Sequence, residues 1–251
     1  MNTPFDLNGR TAVVTGGGRG LGLGISEALL GAGADVIVFG RSPLPVELTK
    51  HAIDLGRELS FVALDLADSE AIATAAQQVL ASHRVDILVN NAGTQDRYPA
   101  VDFPLQAWDN VLDINLRAVF QLCQLFGRPM LERGEGKIVN LASLLSFQGG
   151  MTVPAYAASK GAVAQLTKAL CNEWASRGVN VNAVAPGYMA TEMNAALLAD
   201  PVRLEQLSTR IPAGRWGQPQ DIGNVVVFLA SPAAAYVHGQ VLAVDGGWMA
   251  R

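Results

Sequence analysis

The chain has 251 residues, half of them hydrophobic and only 16% charged, with a formal net charge of -4. That length suits one large domain that buries its core without staples, and the mild acidity leaves no electrostatic footprint for nucleic acid or an anionic membrane. No apolar run reaches membrane-spanning length and the start Met1-Asn2-Thr3-Pro4-Phe5-Asp6-Leu7 is too short and polar for a signal, so a cytoplasmic protein is expected.

A mean hydropathy of +0.25 is high for a soluble chain. It points to a central sheet covered on both faces, with further apolar surface buried between subunits. Cys123 and Cys171 lie in apolar helical patterns and read as buried thiols. His51, His83 and His238 show no ligand spacing, so no metal site is expected.

From the N-terminus, short β-branched runs alternate with longer helical stretches. Strands are predicted at 11–15, 35–39, 60–64, 86–90, 137–142, 179–185 and 240–244, with helical periodicity at 71–82, 108–133 and 156–177. This punctuation predicts an α/β, doubly wound Rossmann-type fold: a single seven-stranded, mainly parallel sheet with helices on both faces. No linker or composition shift divides the chain, so residues 1–251 read as one dinucleotide-binding and catalytic domain. Residues 191–216 mix helix formers with Pro201 and Pro212 and read as a mobile cover over the substrate.

The first strand runs into Thr15-Gly16-Gly17-Gly18-Arg19-Gly20-Leu21-Gly22. Glycines there permit a tight turn and let backbone approach a pyrophosphate at a helix N-terminus. A glycine-rich stretch alone could be a flexible turn, but this one follows a strand and opens an apolar helix. Further on, Lys160 follows Tyr156 by four residues, so on a helix both side chains share one face. A phenol with a pKa near ~10 is a poor proton carrier at neutral pH, and a neighbouring ammonium favours its phenolate. The pattern alone equally fits an amphipathic helix with a surface lysine.

The Thr-Gly-x-x-x-Gly-x-Gly form at 15–22, Asn90-Asn91-Ala92-Gly93 after the fourth strand and Tyr156-x-x-x-Lys160 after the fifth together resemble the short-chain dehydrogenase/reductase family. The order and placement of these motifs cover nearly the whole chain. The resemblance implies a catalytic set of Asn115, Ser143, Tyr156 and Lys160, with Asn115 holding a water that links the lysine to solvent. Ser143, 13 residues before Tyr156, would orient the substrate oxygen. It further implies that Asp65 and Leu66 contact adenine and that Asn90 braces the adenosine pocket. Ala92 and Gly93 complete that wall, and Pro186, Gly187, Met189 and Thr191 would hold the nicotinamide carboxamide. Asn90 could instead merely tie two strands together, and Thr191 could be a helix N-cap.

An acid at the end of the second strand would bond the ribose 2′-hydroxyl of NAD, whereas a basic residue accommodates the 2′-phosphate of NADP. The chain reads Phe39-Gly40-Arg41-Ser42 there, and Arg19 in the glycine loop can reach the same corner. NADP is therefore favoured over NAD.

Ala142-Ser143-Leu144-Leu145-Ser146-Phe147-Gln148-Gly149-Gly150 and the ending Val244-Asp245-Gly246-Gly247-Trp248-Met249-Ala250-Arg251 are similar to the 2-deoxy-D-gluconate 3-dehydrogenase branch of that family, a branch associated with NAD. What this implies is hydride transfer between NAD(P) and a secondary alcohol or ketone of a deoxy sugar acid. A gluconate 5-dehydrogenase or a 3-oxoacyl thioester reductase are the alternatives within the family, and a dinucleotide-sensing scaffold is the alternative outside catalysis. A sugar acid needs a cation or amide donors for its carboxylate, and Arg97 and Gln148 are the candidates beside Ser143, with Arg210 and Arg251 further away in sequence. Family members pair the 108–133 and 156–177 helices and the C-terminal strand, which implies a homotetramer.

Overall fold

The strands at the middle of the sheet are buried on both sides, because helices cover both of its faces. The computed structural model describes residues 3–251. Among them seven strands occur: β1 (Thr11–Thr15), β2 (Asp35–Gly40), β3 (Leu59–Ala63), β4 (Ile87–Asn90), β5 (Gly136–Leu141), β6 (Val179–Pro186) and β7 (Val241–Val244). All neighbours are parallel, in the order β3-β2-β1-β4-β5-β6-β7. The predicted strands agree to within one or two residues at each end, and the sheet is wholly rather than mainly parallel.

Helices α1 (Gly20–Gly31), α2 (Val46–Asp54) and α9 (Pro219–Ala230) cover one face, where Ile25, Leu29, Leu48, Ile222 and Val226 are fully buried. The opposite face carries α3 (Ser69–Ser82), α5 (Ala118–Arg133) and α6 (Pro154–Trp174), which bury Ile72, Leu122, Phe126 and Val163. Each such side chain contributes about 1.5–3 kcal/mol by leaving water. The helix ends are written in the sequence. Asp68 caps α3 by accepting from the backbone N–H groups of Glu70 and Ala71, both at 2.9 Å. Pro154 and Pro219 open α6 and α9 at positions where no N–H is needed.

The helix predicted across 108–133 is broken. α4 (Leu105–Leu112) passes into a π-helical turn over Asp113–Arg117 before α5 begins. Such wide turns are rare and tend to mark functional positions. This one carries Asn115.

The 191–216 segment is less irregular than expected. It holds a 3-10 turn (Glu192–Asn194) and two short helices, α7 (Ala195–Leu198) and α8 (Pro201–Ser208), the second capped by the Asp200 carboxylate. Leu207, Ile211 and Trp216 from this segment join Leu144 and Trp248 in a small apolar cluster of their own. The segment is thus seated on the carboxyl edge of the sheet by side chains from three distant parts of the chain.

Candidate active site

β1 lies between β2 and β4, so the chain's crossovers leave β1 and β4 in opposite directions and open a crevice at their carboxyl ends. The glycine turn forms one wall. Gly16 has φ +66°, a conformation that excludes most side chains, and its N–H donates to the Phe39 carbonyl at 2.7 Å. A Cβ at Gly22 would sit 2.0 Å from the Gly16 carbonyl oxygen, so α1 starts flush against the turn. Arg19, the N-cap of α1, is extended and makes no side-chain cap, and the first turn of the helix has no acidic residue. Its backbone N–H groups and positive dipole end are left for an anion. Arg19 and Arg41 are both exposed, and neither forms an ion pair among the described residues.

In the Asn90-Asn91-Ala92-Gly93 wall the two asparagines play different parts. Asn90 is buried on the far side of β4, its Nδ2 donating to Asn140 Oδ1 at 2.8 Å and to Cys123 Sγ at 3.3 Å. It ties β4 to β5 beneath the crevice, the second of the two roles its position allowed, and strand alternation places it on the same face as Leu88. The residue that shapes the crevice is its neighbour. Asn91 donates through Nδ2 to the Thr15 carbonyl at 2.8 Å, while Thr15 Oγ1 accepts from the N–H groups of Asn91 and Ala92, both at 3.0 Å. Leu66 is likewise buried in the core, and the Asp65 carboxylate accepts from the Ala67 N–H at 3.0 Å to turn the chain after β3.

The proposed catalytic side chains converge from β5, the π turn and α6. Asn115 is fully buried. Its Oδ1 accepts from the Thr94 N–H at 2.8 Å, and its Nδ2 donates to the Thr94 carbonyl at 2.9 Å and to Ser159 Oγ at 3.1 Å. Ser159 in turn donates to the Tyr156 carbonyl at 2.8 Å. Ser143, extended just beyond β5, accepts from the Leu145 N–H at 3.2 Å, while Ser146 Oγ donates to the Lys160 carbonyl at 2.7 Å. A further buried chain, Asn140 to Thr167 Oγ1 at 3.0 Å, fastens α6 to β5. Each such bond contributes on the order of 1 kcal/mol, and together they fix the height of Tyr156 relative to Ser143.

Lys160 is only 4% exposed. Its Nζ donates to the Leu141 carbonyl at 2.6 Å and lies 5.7 Å from the centre of the Tyr156 ring. A Cβ at Gly93 would come within 3.7 Å of that Nζ, so glycine keeps the approach to it open. Burial lowers the Lys160 pKa to about 8. Burial also raises the Tyr156 pKa above its ordinary value, with the Ser143 hydroxyl opposing the rise. The sequence expectation that Lys160 lowers the Tyr156 pKa is therefore not met in this arrangement. The ammonium donates to the Leu141 carbonyl and lies 5.7 Å from the ring centre, and desolvation is the dominant effect on the phenol.

On the opposite wall Pro186 ends β6, and the Gly187 N–H donates to the Val244 carbonyl at 3.0 Å. The Met189 side chain is buried against Gly217, and the Thr191 N–H donates to the Met189 carbonyl at 3.0 Å. Thr191 stands at the start of a 3-10 turn, yet its hydroxyl makes no cap. A Cβ at Gly20 would lie 4.0 Å from the Thr191 Cβ, so this segment approaches the glycine turn across the crevice.

At the mouth Gln148 is exposed, and its Oε1 accepts from Trp248 Nε1 at 3.3 Å. Arg97 is exposed in a loop pinned by the Tyr98 N–H, which donates to the Thr152 carbonyl at 3.0 Å. Thr152 adopts φ +64°, a strained value for a β-branched residue and one often found beside functional sites. Among the described residues no group of three or more His, Cys, Asp or Glu could hold a metal ion, and no helix is long and apolar enough to cross a membrane.

The family model described as enoyl-(acyl carrier protein) reductase matches residues 16–249. The chain belongs to the short-chain dehydrogenase/reductase family. Within it, a 2-dehydro-3-deoxy-D-gluconate 5-dehydrogenase of Bacillus subtilis is 51% identical over 100% of this chain and 99% of its own. A protein assigned as an NAD(P)-dependent gluconate 5-dehydrogenase from Beutenbergia cavernae, crystallised with NADP at low occupancy, superposes with a TM-score of 0.96 at 53% identity, covering 99% of this chain and 100% of that one. One assigned as a 2-deoxy-D-gluconate 3-dehydrogenase from Agrobacterium tumefaciens, with bound NADP, does so at 0.93 and 49% identity, with coverage of 99% and 100%.

Several positions that shape this dehydrogenase/reductase site were not singled out from sequence. Thr15, Asn91, Thr94, Asn140 and Ser159 brace the crevice through bonds between distant segments. For Asn90 and Asn91 the signal was present in the alternation of β4. For Thr94 and Ser159 only the three-dimensional approach of the π turn to α6 reveals the role.

Proposed function

We propose that this protein is a cytoplasmic, NADP-dependent oxidoreductase that moves a hydride between the nicotinamide and a secondary alcohol or ketone of a deoxy sugar acid. 2-Dehydro-3-deoxy-D-gluconate, reacting at C5, is the favoured substrate. The observation that carries the reading is the joint placement of Ser143, Tyr156 and buried Lys160 beside a glycine turn whose helix N-terminus is open to a diphosphate. The sugar-acid names of the most similar relatives supply the substrate class. The expectation of the 3-dehydrogenase branch is thereby broadened to include oxidation at C5.

NADP, when bound, supplies or accepts the hydride. Backbone N–H groups of residues 16–22 would hold its diphosphate, and Arg19 and Arg41, free of carboxylate partners, would clamp the 2′-phosphate. Backbone from Pro186 to Thr191 would meet the nicotinamide end. Ser143 holds the substrate oxygen, and Tyr156 Oη takes the hydroxyl proton in oxidation or returns it in reduction. Swinging from the Leu141 carbonyl towards the phenol oxygen, Lys160 would favour the phenolate and offset the burial that raises it. Asn115 braces the backbone of Thr94 and the hydroxyl of Ser159, keeping open the proton route behind Lys160.

A homotetramer is the proposed assembly. Phe120 on α5, Tyr236 in the turn before β7 and Leu242 on β7 are large apolar side chains exposed on one chain, 98% so for Tyr236, and a partner would cover them. Sedimentation at the mass of four chains supports this, and a monomer contradicts it.

The function is tested by following absorbance at 340 nm with NADP and NAD in parallel. The panel contains 2-dehydro-3-deoxy-D-gluconate, 2-deoxy-D-gluconate, D-gluconate and a 3-oxoacyl thioester. The highest kcat/KM is expected for a deoxy sugar acid with NADP. Turnover confined to the thioester would replace this reading with a fatty-acyl one.

A further inference from the structure

Several arginines of this chain are held by carboxylates. Arg215 grips the Asp221 carboxylate with both Nη atoms, at 2.7 and 2.9 Å, and Arg10 and Arg84 share Asp86 and Glu135. Arg210 differs. Among the described residues it has no carboxylate partner, and its guanidinium lies 4.0 Å from the centre of the Trp248 ring. Stacking on an indole attracts a cation without consuming any of its N–H donors. Arg210 is therefore held in place with its fork of donors intact.

The platform beneath it leads back to the reacting centre. Trp248 is 6% exposed, packs 4.6 Å from the Tyr188 ring, and donates through Nε1 to Gln148 Oε1. The Gln148 N–H donates to the carbonyl of Leu144, the residue after Ser143, at 3.0 Å. Leu144 and Trp248 belong to the same apolar cluster. Arg251 donates to the Thr209 carbonyl at 3.0 Å, which sets a second positive charge next to Arg210. One end of this connected group is joined to Leu144, the neighbour of Ser143, and the other presents a guanidinium with no carboxylate partner among the described residues.

We propose that Arg210, stacked on Trp248, receives the carboxylate of the substrate and is the residue that selects sugar acids over neutral sugars. This rests on the sugar-acid reading above. Gln148, with its amide oxygen taken by Trp248, offers its two N–H donors to a hydroxyl or carboxylate oxygen between Ser143 and Arg210. A planar carboxylate on a guanidinium fork forms two parallel charge-assisted hydrogen bonds, which a lysine cannot reproduce.

The test compares the best sugar acid of the panel with its primary amide, which keeps every hydroxyl and loses the charge. For Arg210→Gln the KM of the acid is expected to rise roughly 30-fold with kcat within about threefold, while the KM of the amide stays unchanged, a loss typical of one charge-assisted pair. Arg210→Lys should recover part of the loss. Trp248→Leu, which leaves the arginine but removes its platform, should raise the acid KM as well. Melting curves and NADP affinity verify that each variant is folded. An acid KM within threefold of wild type in Arg210→Gln overturns the proposal, as does an equal rise for acid and amide. If Arg97→Gln alone produces the selective rise, the carboxylate receptor is Arg97 and the proposal is also overturned. Wild-type protein that turns over no sugar acid fails the functional reading itself, a result distinct from all of these.

Discussion

At the amino edge of the sheet, Asp86 is 5% exposed and is met by Arg84 Nε at 2.8 Å, Arg10 Nη1 at 3.3 Å and the Thr11 N–H at 3.2 Å. Glu135 takes the remaining donors of Arg10 and Arg84 at 2.7 and 2.6 Å, and Arg133 donates to the Val85 carbonyl. At the carboxyl edge, Arg19, Arg41, Arg97 and Arg210 have no carboxylate partner among the described residues, and Lys160 is buried with only a carbonyl for company. Charges of the first group satisfy one another and hold β1, β4 and β5 in register. Those of the second lack such partners, the disposition expected if they serve the recognition proposed above. In this reading the same residue types serve stability in the Asp86 cluster and recognition around the crevice.

If the comparison holds, disabling the carboxyl edge should destroy activity and spare stability. For Lys160→Met, kcat/KM is expected to fall about a thousandfold. Its melting temperature at pH 7 should not fall, because an apolar side chain of similar size replaces a buried charge. Burial holds the folded pKa of Lys160 at about 8, below its ordinary 10.5. The unfolded chain therefore binds more protons between those values, and wild-type stability should rise with pH across that window. Urea midpoints from pH 7.5 to 10 should show this rise in wild type and a flatter response in Lys160→Met.

The reverse pattern is expected at the amino edge. Asp86→Asn leaves three guanidiniums around a neutral amide, and stability should drop by about 3 kcal/mol, read from denaturant melts. The folded variant should keep kcat/KM within twofold. A loss of activity greater than the loss of folded protein would break the division between the two edges.

The strands were legible because both their faces are buried, which writes continuous apolar runs such as Ala12-Val13-Val14 that need no partner to be recognised. The π turn was not, since Asp113-Ile114-Asn115-Leu116-Arg117 continues the helical rhythm on either side and the extra residue per turn has no sequence mark. Motif order brought Ser143, Tyr156, Lys160 and Asn115 to one place, but left open whether Asn90 braces a pocket or ties strands; the bond to Asn140 shows that it ties them. The direction of the Tyr156 shift also escaped, because burial and the turn of Lys160 towards Leu141 are properties of the packed structure.

A smaller effect is expected at the cofactor corner. Replacing Arg19 and Arg41 together by alanine should raise the KM for NADP roughly 30-fold and leave that for NAD nearly unchanged. Equal losses for both cofactors would place the 2′-phosphate elsewhere.

The smallest effect concerns the clamp between the 191–216 segment and α9. Arg215 holds the Asp221 carboxyl at about 2, with the Gln218 N–H adding to the effect. Because the folded pKa is depressed, the clamp stabilises above the unfolded pKa near 3.8 and is lost as pH falls through about 2. Asp221→Asn should cost about 1 kcal/mol at pH 7, a modest sum because the pair is partly solvated. The two proteins should converge in acid.

The most direct test of the central claim is Tyr156→Phe, assayed for turnover of the preferred sugar acid and for NADPH binding by tryptophan fluorescence. Removal of the phenol oxygen alone is expected to lower kcat at least a thousandfold while NADPH affinity changes less than threefold. Turnover within tenfold of wild type would contradict the assignment of Tyr156 as the proton carrier of this site.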